Sequence, residues 1–215
     1  MCIITYIEQV ARKFFITAIL LISASFTIKA QMRTDYVIGL NLSNMEVKSP
    51  GVSITTITRV GIHFGQLFDI PLNDNLALQP GILLSSKGSN YRIDTARYSI
   101  APVYLEVPVD FVVSIGSEKL KCYFLGGGYA AYGVGGYMVD PAGNFTFLNL
   151  RSGEMHEIRP FDAGLVVGTG LNIKGFIVSV QYKYGLSNLS VSSASGGVMR
   201  NRVIALSASA IFSGK

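Results

Sequence analysis

The chain has 215 residues, 49% of them hydrophobic, with 18 Lys and Arg against 13 Asp and Glu and a formal net charge of +5. The weak positive balance lacks the clustered basic face that nucleic acid selects, so a nucleic-acid partner is not expected. No apolar run reaches the ~20 residues of a helix that spans lipid.

Residues 1–30 read as a leader. Arg12 and Lys13 precede an apolar run from Phe14 to Phe26, and Lys29-Ala30-Gln31 closes it with a small residue at 30. A basic start, an apolar core and a small residue before the cut describe a secretory signal peptide, with cleavage expected near Ala30/Gln31. The apolar core is shorter than a membrane anchor. Cys2 stands at the start of the leader rather than at its end, so it is not a lipoprotein cysteine. Removing residues 1–30 takes Arg12, Lys13, Lys29 and Glu8 with it and leaves 15 basic against 12 acidic side chains in 185 residues. That length suits one domain, 31–215, with a full core. Cys122 is then the one cysteine, which excludes an intrachain disulfide.

From there the chain alternates. Near 35–43, Tyr36, Ile38, Leu40 and Leu42 oppose Asp35, Gly39, Asn41 and Ser43. In 56–70, Val60, Ile62, Phe64, Phe68 and Ile70 oppose Arg59, Gly61, His63, Gly65 and Asp69. In 76–87, Leu76, Leu78, Pro80, Ile82 and Leu84 oppose Gln79, Gly81, Ser85 and Lys87. In 98–114, Leu105, Val107, Val109 and Phe111 oppose Tyr104, Glu106, Pro108 and Asp110. Residues 119–135 carry Gly126-Gly127-Gly128, which weaken a strand and mark bends or close approach. In 157–171, Phe161, Ala163, Leu165 and Val167 oppose Asp162, Gly164, Val166 and Gly168. In 176–186, Val178, Val180, Tyr182, Tyr184 and Leu186 oppose Ser179, Gln181 and Lys183, and the last strand sets Ile204, Leu206, Ala208, Ala210 and Phe212 against Ala205, Ser207 and Ser209. A period of two predicts strands throughout.

The gaps sort by length. Asn73-Asp74-Asn75, Gly116-Ser117-Glu118-Lys119 and Asn172-Ile173-Lys174-Gly175 are tight, whereas 44–55, 90–96, 136–156 and 188–199 are long. Short turns on one rim and long loops on the other mark an antiparallel barrel that crosses a bilayer. The expectation is an all-β fold: an eight-stranded antiparallel up-and-down transmembrane β-barrel after a cleaved signal peptide. Eight strands leave an interior that side chains nearly fill, which argues against a wide pore.

On this reading the lumen holds a polar network of Arg59, His63, Gln79, Lys87, Glu106, Asp110, Asp162, Gln181 and Lys183, with Asp35 on the same face. Charges enclosed in a narrow barrel have to pair, because an unpaired dry charge is costly. The alternative is a small polar cavity for a ligand.

Catalytic chemistry is sparse. His63 and His156 are the only histidines, and His63 falls in the lumen. His156 lies beside Glu154 and Glu157 in the 136–156 loop, where solvated side chains are a better reading than a metal site. Asp94 and Glu154 are in long loops, and no triad or acid pair follows from them. Cys122 shares a face with Leu120 and Phe124 and reads as a small apolar strand residue. Gly126-Gly127-Gly128 is followed by alternation and not by Lys-Ser/Thr, so it is no phosphate loop. No cofactor, metal or catalytic residue is expected.

The stretch Leu67-Phe68-Asp69-Ile70-Pro71-Leu72, with Leu76-Ala77-Leu78-Gln79-Pro80 and Ser86-Lys87-Gly88, resembles a hairpin of the PorT-like outer-membrane β-barrel family of Bacteroidetes. Tyr104-Leu105-Glu106-Val107-Pro108-Val109 is similar to that family's Tyr-Leu-Glu-Ile-Pro strand. Phe161-Asp162-Ala163-Gly164-Leu165 with Gly168 and Gly170, and Tyr182 through Asn188, resemble two further family stretches in the same order. The resemblance implies an eight-stranded outer-membrane barrel with both termini in the periplasm, partnered by outer-membrane lipid and the barrel-assembly machinery. It implies no reaction. Ser213-Gly214-Lys215 follows Phe212, whereas such barrels often finish on the aromatic itself.

Three functions remain open on the sequence. The first is a non-enzymatic outer-membrane barrel with a structural, surface-interaction or assembly and secretion-partner role, meeting another envelope protein through loops 136–156 and 188–199. The second is a narrow channel or small-ligand-binding barrel. The third is a soluble exported calycin-like carrier of lipophilic ligands, which would turn the apolar faces inward.

Overall fold

The computed structural model describes residues 33–48, 55–93, 96–117, 119–148, 158–190 and 197–212. The leader expected over 1–30 lies outside them, as do Asp94, Glu154 and His156. Among the described residues the chain is all-β and antiparallel, and no helix is long and apolar enough to cross a membrane.

Eleven strands follow in chain order: β1 (Arg33–Lys48), β2 (Thr55–Ile57), β3 (Arg59–Pro71), β4 (Leu76–Ser86), β5 (Ser89–Ile93), β6 (Ala96–Ser117), β7 (Leu120–Val139), β8 (Phe145–Phe147), β9 (Phe161–Ile173), β10 (Phe176–Gly185) and β11 (Val198–Phe212). Eight of them, β1, β3, β4, β6, β7, β9, β10 and β11, pair in sequence order, and β11 returns to pair with β1. The ring is closed, so it has no free edge along its wall. The short strands β2, β5 and β8 prolong the sheet at one end, through β2–β5–β6 and β7–β8.

The ring is sheared. Stepping sideways through paired residues from Ile70, the path runs through Leu78, Phe111, Gly126, Val167, Tyr182, Ile204 and Leu42. Leu42 pairs with Val60 in β3, so one circuit returns ten residues from its start. Strands in a barrel with such a stagger tilt strongly to its axis.

Local chemistry closes the tight end. Asn73 Oδ1 accepts from the amides of Asn75 at 3.0 Å and Leu76 at 2.8 Å, turning β3 into β4. Asn172 Oδ1 accepts from the Gly175 amide at 2.9 Å, and Lys174 and Gly175 take positive φ values of 53° and 91° between β9 and β10. A side-chain acceptor thus replaces the ladder where the chain reverses.

Alternation sorts the two faces of the wall. Ile38, Val60, Ile62, Phe111, Val167 and Phe176 are exposed on the outside, while Asn41, Ser85, Glu106 and Asp162 are fully buried inside. The polar face is therefore interior, opposite to what a carrier of lipophilic ligands would need. Gly126–Gly128 run within β7 as strand. A Cβ on Gly127 would lie 2.2 Å from the Val109 carbonyl oxygen and 2.4 Å from Asp110 Oδ1, so Gly127 marks a close approach, whereas a Cβ on Gly126 would meet open space.

The structure lengthens several strands beyond the sequence reading. β1 reaches Lys48, β5 and β6 form a hairpin across 89–100, and β7 runs to Val139 and meets β8. These segments read as loops because polar side chains interrupt the pattern set by the apolar belt, although Met45, Val47, Tyr91, Ile100 and Met138 within them pack inward. Beyond the apolar belt neither side of a ribbon needs to be apolar, and the backbone still satisfies itself by pairing.

Candidate functional site

The inward positions of the ring strands stack in layers from the tight-turn end to the long-ribbon end. At the tight-turn mouth a cavity of about 80 Å³ is lined by residues that include Arg33, Asp35, Asp69, Gln79, Lys121 and Gln181. Arg33 Nε lies 3.6 Å from Oδ2 of Asp69, its register partner on β3. Asp35 is buried there, and its Oδ1 has no hydrogen-bond partner among the described residues.

His63 forms the next layer. Its Nδ1 lies 2.9 Å from Asn41 Oδ1 and its Nε2 2.9 Å from Ser207 Oγ. Asn41 Nδ2 donates to Ser85 Oγ and to the Ser86 carbonyl, each at 3.0 Å. The ring is placed by Gly39 on the neighbouring strand, where a Cβ would meet His63 Cε1 at 2.5 Å. Both imidazole nitrogens are engaged, so His63 is a structural bridge between β1, β3 and β11.

The third layer is charged. Glu106 receives two ammonium groups, Lys87 Nζ at 2.7 Å and Lys183 Nζ at 2.5 Å. Lys87 Nζ also lies 3.4 Å from Asp162 Oδ2, which accepts from Tyr129 Oη at 3.0 Å and Asn201 Nδ2 at 2.9 Å. The Lys87 ammonium stands 4.0 Å from the Tyr129 ring centroid and 5.4 Å from that of Tyr104. Two carboxylates balance two ammoniums, and aromatic faces cover one of the cations. Lys87 follows β4, Glu106 is in β6, Asp162 in β9 and Lys183 in β10, so the cluster spans the lumen.

Above it the lining turns apolar. Met45, Ile100, Leu148, Ile158 and Leu189 form a buried cluster, with Val47, Tyr91, Met138 and Met199 against it. Backbone bonds hold the non-strand members in place: the Leu148 amide donates to the Gly136 carbonyl at 2.9 Å, and the Leu189 amide to the Met199 carbonyl at 2.8 Å. Ile158 bridges Ser190. The long-ribbon end is capped by side chains.

Among the nine residues expected in the lumen, Lys87, Glu106, Asp162 and Lys183 meet in one cluster. Asp110 is buried nearby, in register with Gln79, and its Oδ1 has no hydrogen-bond partner among the described residues. Gln79 and Gln181 line the tight-turn cavity, and His63 lies in its own layer. Arg59 joins none of these. Its guanidinium donates to Ser86 Oγ at 3.2 Å, the Lys87 carbonyl at 3.4 Å and Tyr137 Oη at 2.8 Å. Tyr129, Asn201 and the apolar cap were not singled out in the sequence. Tyr129 and Met45 sit at inward parity on their strands, which was the available signal; Leu148, Ile158 and Leu189 come from segments with no period.

Among the described residues no group of three His, Cys, Asp or Glu side chains could hold a metal ion. Cys122 is exposed beside Leu120 and Phe124 on the outer wall. In the 136–156 segment, Phe145 and Phe147 of β8 are exposed at 71% and 86%, and Tyr137 packs on Phe145 at a centroid distance of 5.9 Å. Of the 188–199 segment, residues 191–196 lie outside the described residues.

Residues 29–191 match a family model described as outer membrane protein beta-barrel domain. No curated protein matches the chain. Among solved structures, Ail, the attachment invasion locus protein of Yersinia pestis in complex with the heparin analogue sucrose octasulfate, is 17% identical, and the alignment covers 84% of this chain and 99% of that one at a TM-score of 0.44. Neisserial surface protein A is 11% identical, with 83% and 97% covered and a TM-score of 0.43. The outer membrane protein OprG from Pseudomonas aeruginosa is 11% identical, with 85% and 95% covered and a TM-score of 0.39.

Proposed function

This chain belongs to the outer membrane protein β-barrel domain family, and on that premise we propose that it is a plugged, non-enzymatic barrel whose long-ribbon end meets another envelope component in a surface-interaction, assembly or secretion role. One observation carries the reading: the charged cluster around Glu106 and the apolar cap of Met45, Ile100, Leu148, Ile158 and Leu189 fill the lumen in series. A conducting lumen needs a continuous wet path, and an apolar layer over a layer of ion-paired side chains opposes one. The aromatic β8 tip and the β2–β5–β6 ribbon, both beyond the ring, supply surface for a partner.

His63 spends both ring nitrogens on Asn41 and Ser207, which favours a non-enzymatic reading over acid–base chemistry. The motifs around Leu67–Pro80, Tyr104–Val109 and Asp162–Gly170 support the finer assignment to the PorT-like group of Bacteroidetes. A leader cut near Ala30/Gln31 delivers the chain to the envelope, and the barrel-assembly machinery inserts it.

The test is conductance. Full-length protein recovered from the outer-membrane fraction as a heat-shifted band is reconstituted into planar bilayers. Silent recordings are expected. A steady, reproducible conductance step would overturn the plugged reading in favour of a narrow channel.

A further inference from the structure

Beyond His63–Ser85, β3 and β4 share no further pairs toward the long-ribbon end, while β4 stays paired with β6 as far as Ser86–Val103. The pairing resumes across the same seam at Ile57–Asn90 of β2 and β5, and a Cβ on Gly61 would lie 2.2 Å from the Ser86 carbonyl oxygen, so the ladder is interrupted locally rather than open. There Val60, Ile62, Phe64, Leu84 and Val103, with Ser86, Tyr137 and Arg59, line a groove of about 420 Å³. Val60, Ile62 and Phe64 are among the exposed outward side chains, so the groove opens on the lipid-facing wall.

Arg59 closes its long-ribbon end. Two of its donors, both on Nη1, go to Ser86 Oγ and the Lys87 carbonyl, and one on Nη2 goes to Tyr137 Oη. The Tyr137 ring lies 5.5 Å from Cζ. A guanidinium has five N–H donors, and among the described residues no carboxylate lies within ion-pair distance of this one. It is a half-buried cation, oriented by three bonds and an aromatic face, with donors to spare at the head of an apolar trough. A charge on a lipid-facing wall is costly unless an interfacial anion meets it.

We propose that this groove binds one acylated lipid with an anionic phosphate headgroup, drawn from the leaflet at the long-ribbon end. The phosphate sits on the free donors of Arg59 and an acyl chain lies along Val60, Ile62 and Phe64. Charge complementarity and continuity of the trough with the surrounding bilayer select this occupant. The fork of Arg suits a phosphate better than the point charge of Lys would. The site is outside the lumen and independent of whether the barrel conducts.

The test is native mass spectrometry of the full chain, purified in mild detergent and titrated with dioctanoyl phosphatidic acid or dioctanoyl phosphatidylcholine. One phosphatidic acid adduct is expected to saturate ahead of all others, with phosphatidylcholine much weaker. Arg59→Gln is expected to weaken that adduct by roughly ten-fold, the loss of one charge-assisted contact, while Arg33→Gln at the opposite mouth leaves it unchanged. Leu84→Trp, which fills the trough with Arg59 intact, is expected to weaken it as well. Equal binding of the two lipids, or undiminished binding by Arg59→Gln or Leu84→Trp, would overturn the proposal. Where Arg59→Gln gives no heat-shifted band, the Leu84→Trp result decides.

Discussion

The ammonium of Lys87 and the carboxylate of Glu106 meet at 2.7 Å with both side chains fully buried. β4 and β6 are neighbours in the ring, so this pair lies against one wall; Lys183 reaches the same carboxylate from β10, three strands further round. Glu106 thereby ties opposite sides of the lumen. Its worth lies in the cost of breaking it, since a buried charge left without its partner is far more expensive than the intact pair is favourable.

Glu106→Gln is expected to strand two ammonium groups with Asp162 alone and to lower stability by about 3–5 kcal/mol. Urea unfolding from lipid vesicles reads this as a lower midpoint. Combining Glu106→Gln with Lys183→Met is expected to cost less than the sum of the two single changes, because both act on one network. A loss under about 1 kcal/mol for Glu106→Gln would mean the cluster behaves like a solvated surface pair.

Val107 projects outward from β6, next to inward-facing Glu106. Val107→Arg is expected to cost about 2–4 kcal/mol in a bilayer, and Ser117→Arg, at the tight-turn end of the same strand, about 0–1 kcal/mol. The same vesicle experiment compares them. Equal, small costs at both positions would place this wall in water.

Asp140 turns β7 into β8. Its carboxylate accepts from the Asn144 amide and from Asn144 Nδ2, each at 2.8 Å. Those two bonds hold its pKa below the usual carboxylate value. The stabilising contribution is therefore complete above the ordinary carboxylate pKa and is lost as pH falls through the lowered one. Protection of the Asn144 amide, its exchange relative to the intrinsic rate at each pH, is expected to fall over that acidic window, and Asp140→Ala is expected to remove it at neutral pH. A protection factor at Asn144 that does not change between neutral and acidic pH would show that other contacts hold the turn.

The faces of the ring strands were legible because period-two alternation needs only sequence: Leu105, Val107 and Val109 against Glu106 and Asp110 could be assigned without knowing any neighbour. Partners were less legible. That Lys87 and Lys183 share one carboxylate depends on ring closure and shear, which sum over several registers. Arg59 has the parity of an inward residue, yet the local interruption of the β3–β4 ladder lets its head bond Ser86 and Tyr137 instead. The apolar cap was hidden for another reason. Ile158 and Leu189 stand in polar segments and Leu148 follows the outer-loop aromatics Phe145 and Phe147, and only the fold brings the three together.

Thr34 pairs with Phe212, so the wall is completed by the two sequence-distant ends of the ring. No partial chain can close it. Until β11 has emerged, β1 and β10 each present an open row of amides and carbonyls, a template for any passing strand. Closure also joins positions far apart in sequence, the slowest kind of contact for a chain to find. The nascent barrel is therefore committed to a long vulnerable interval and then to a single sealing event, which makes shielding during transit as important to this protein as the stability of its finished wall.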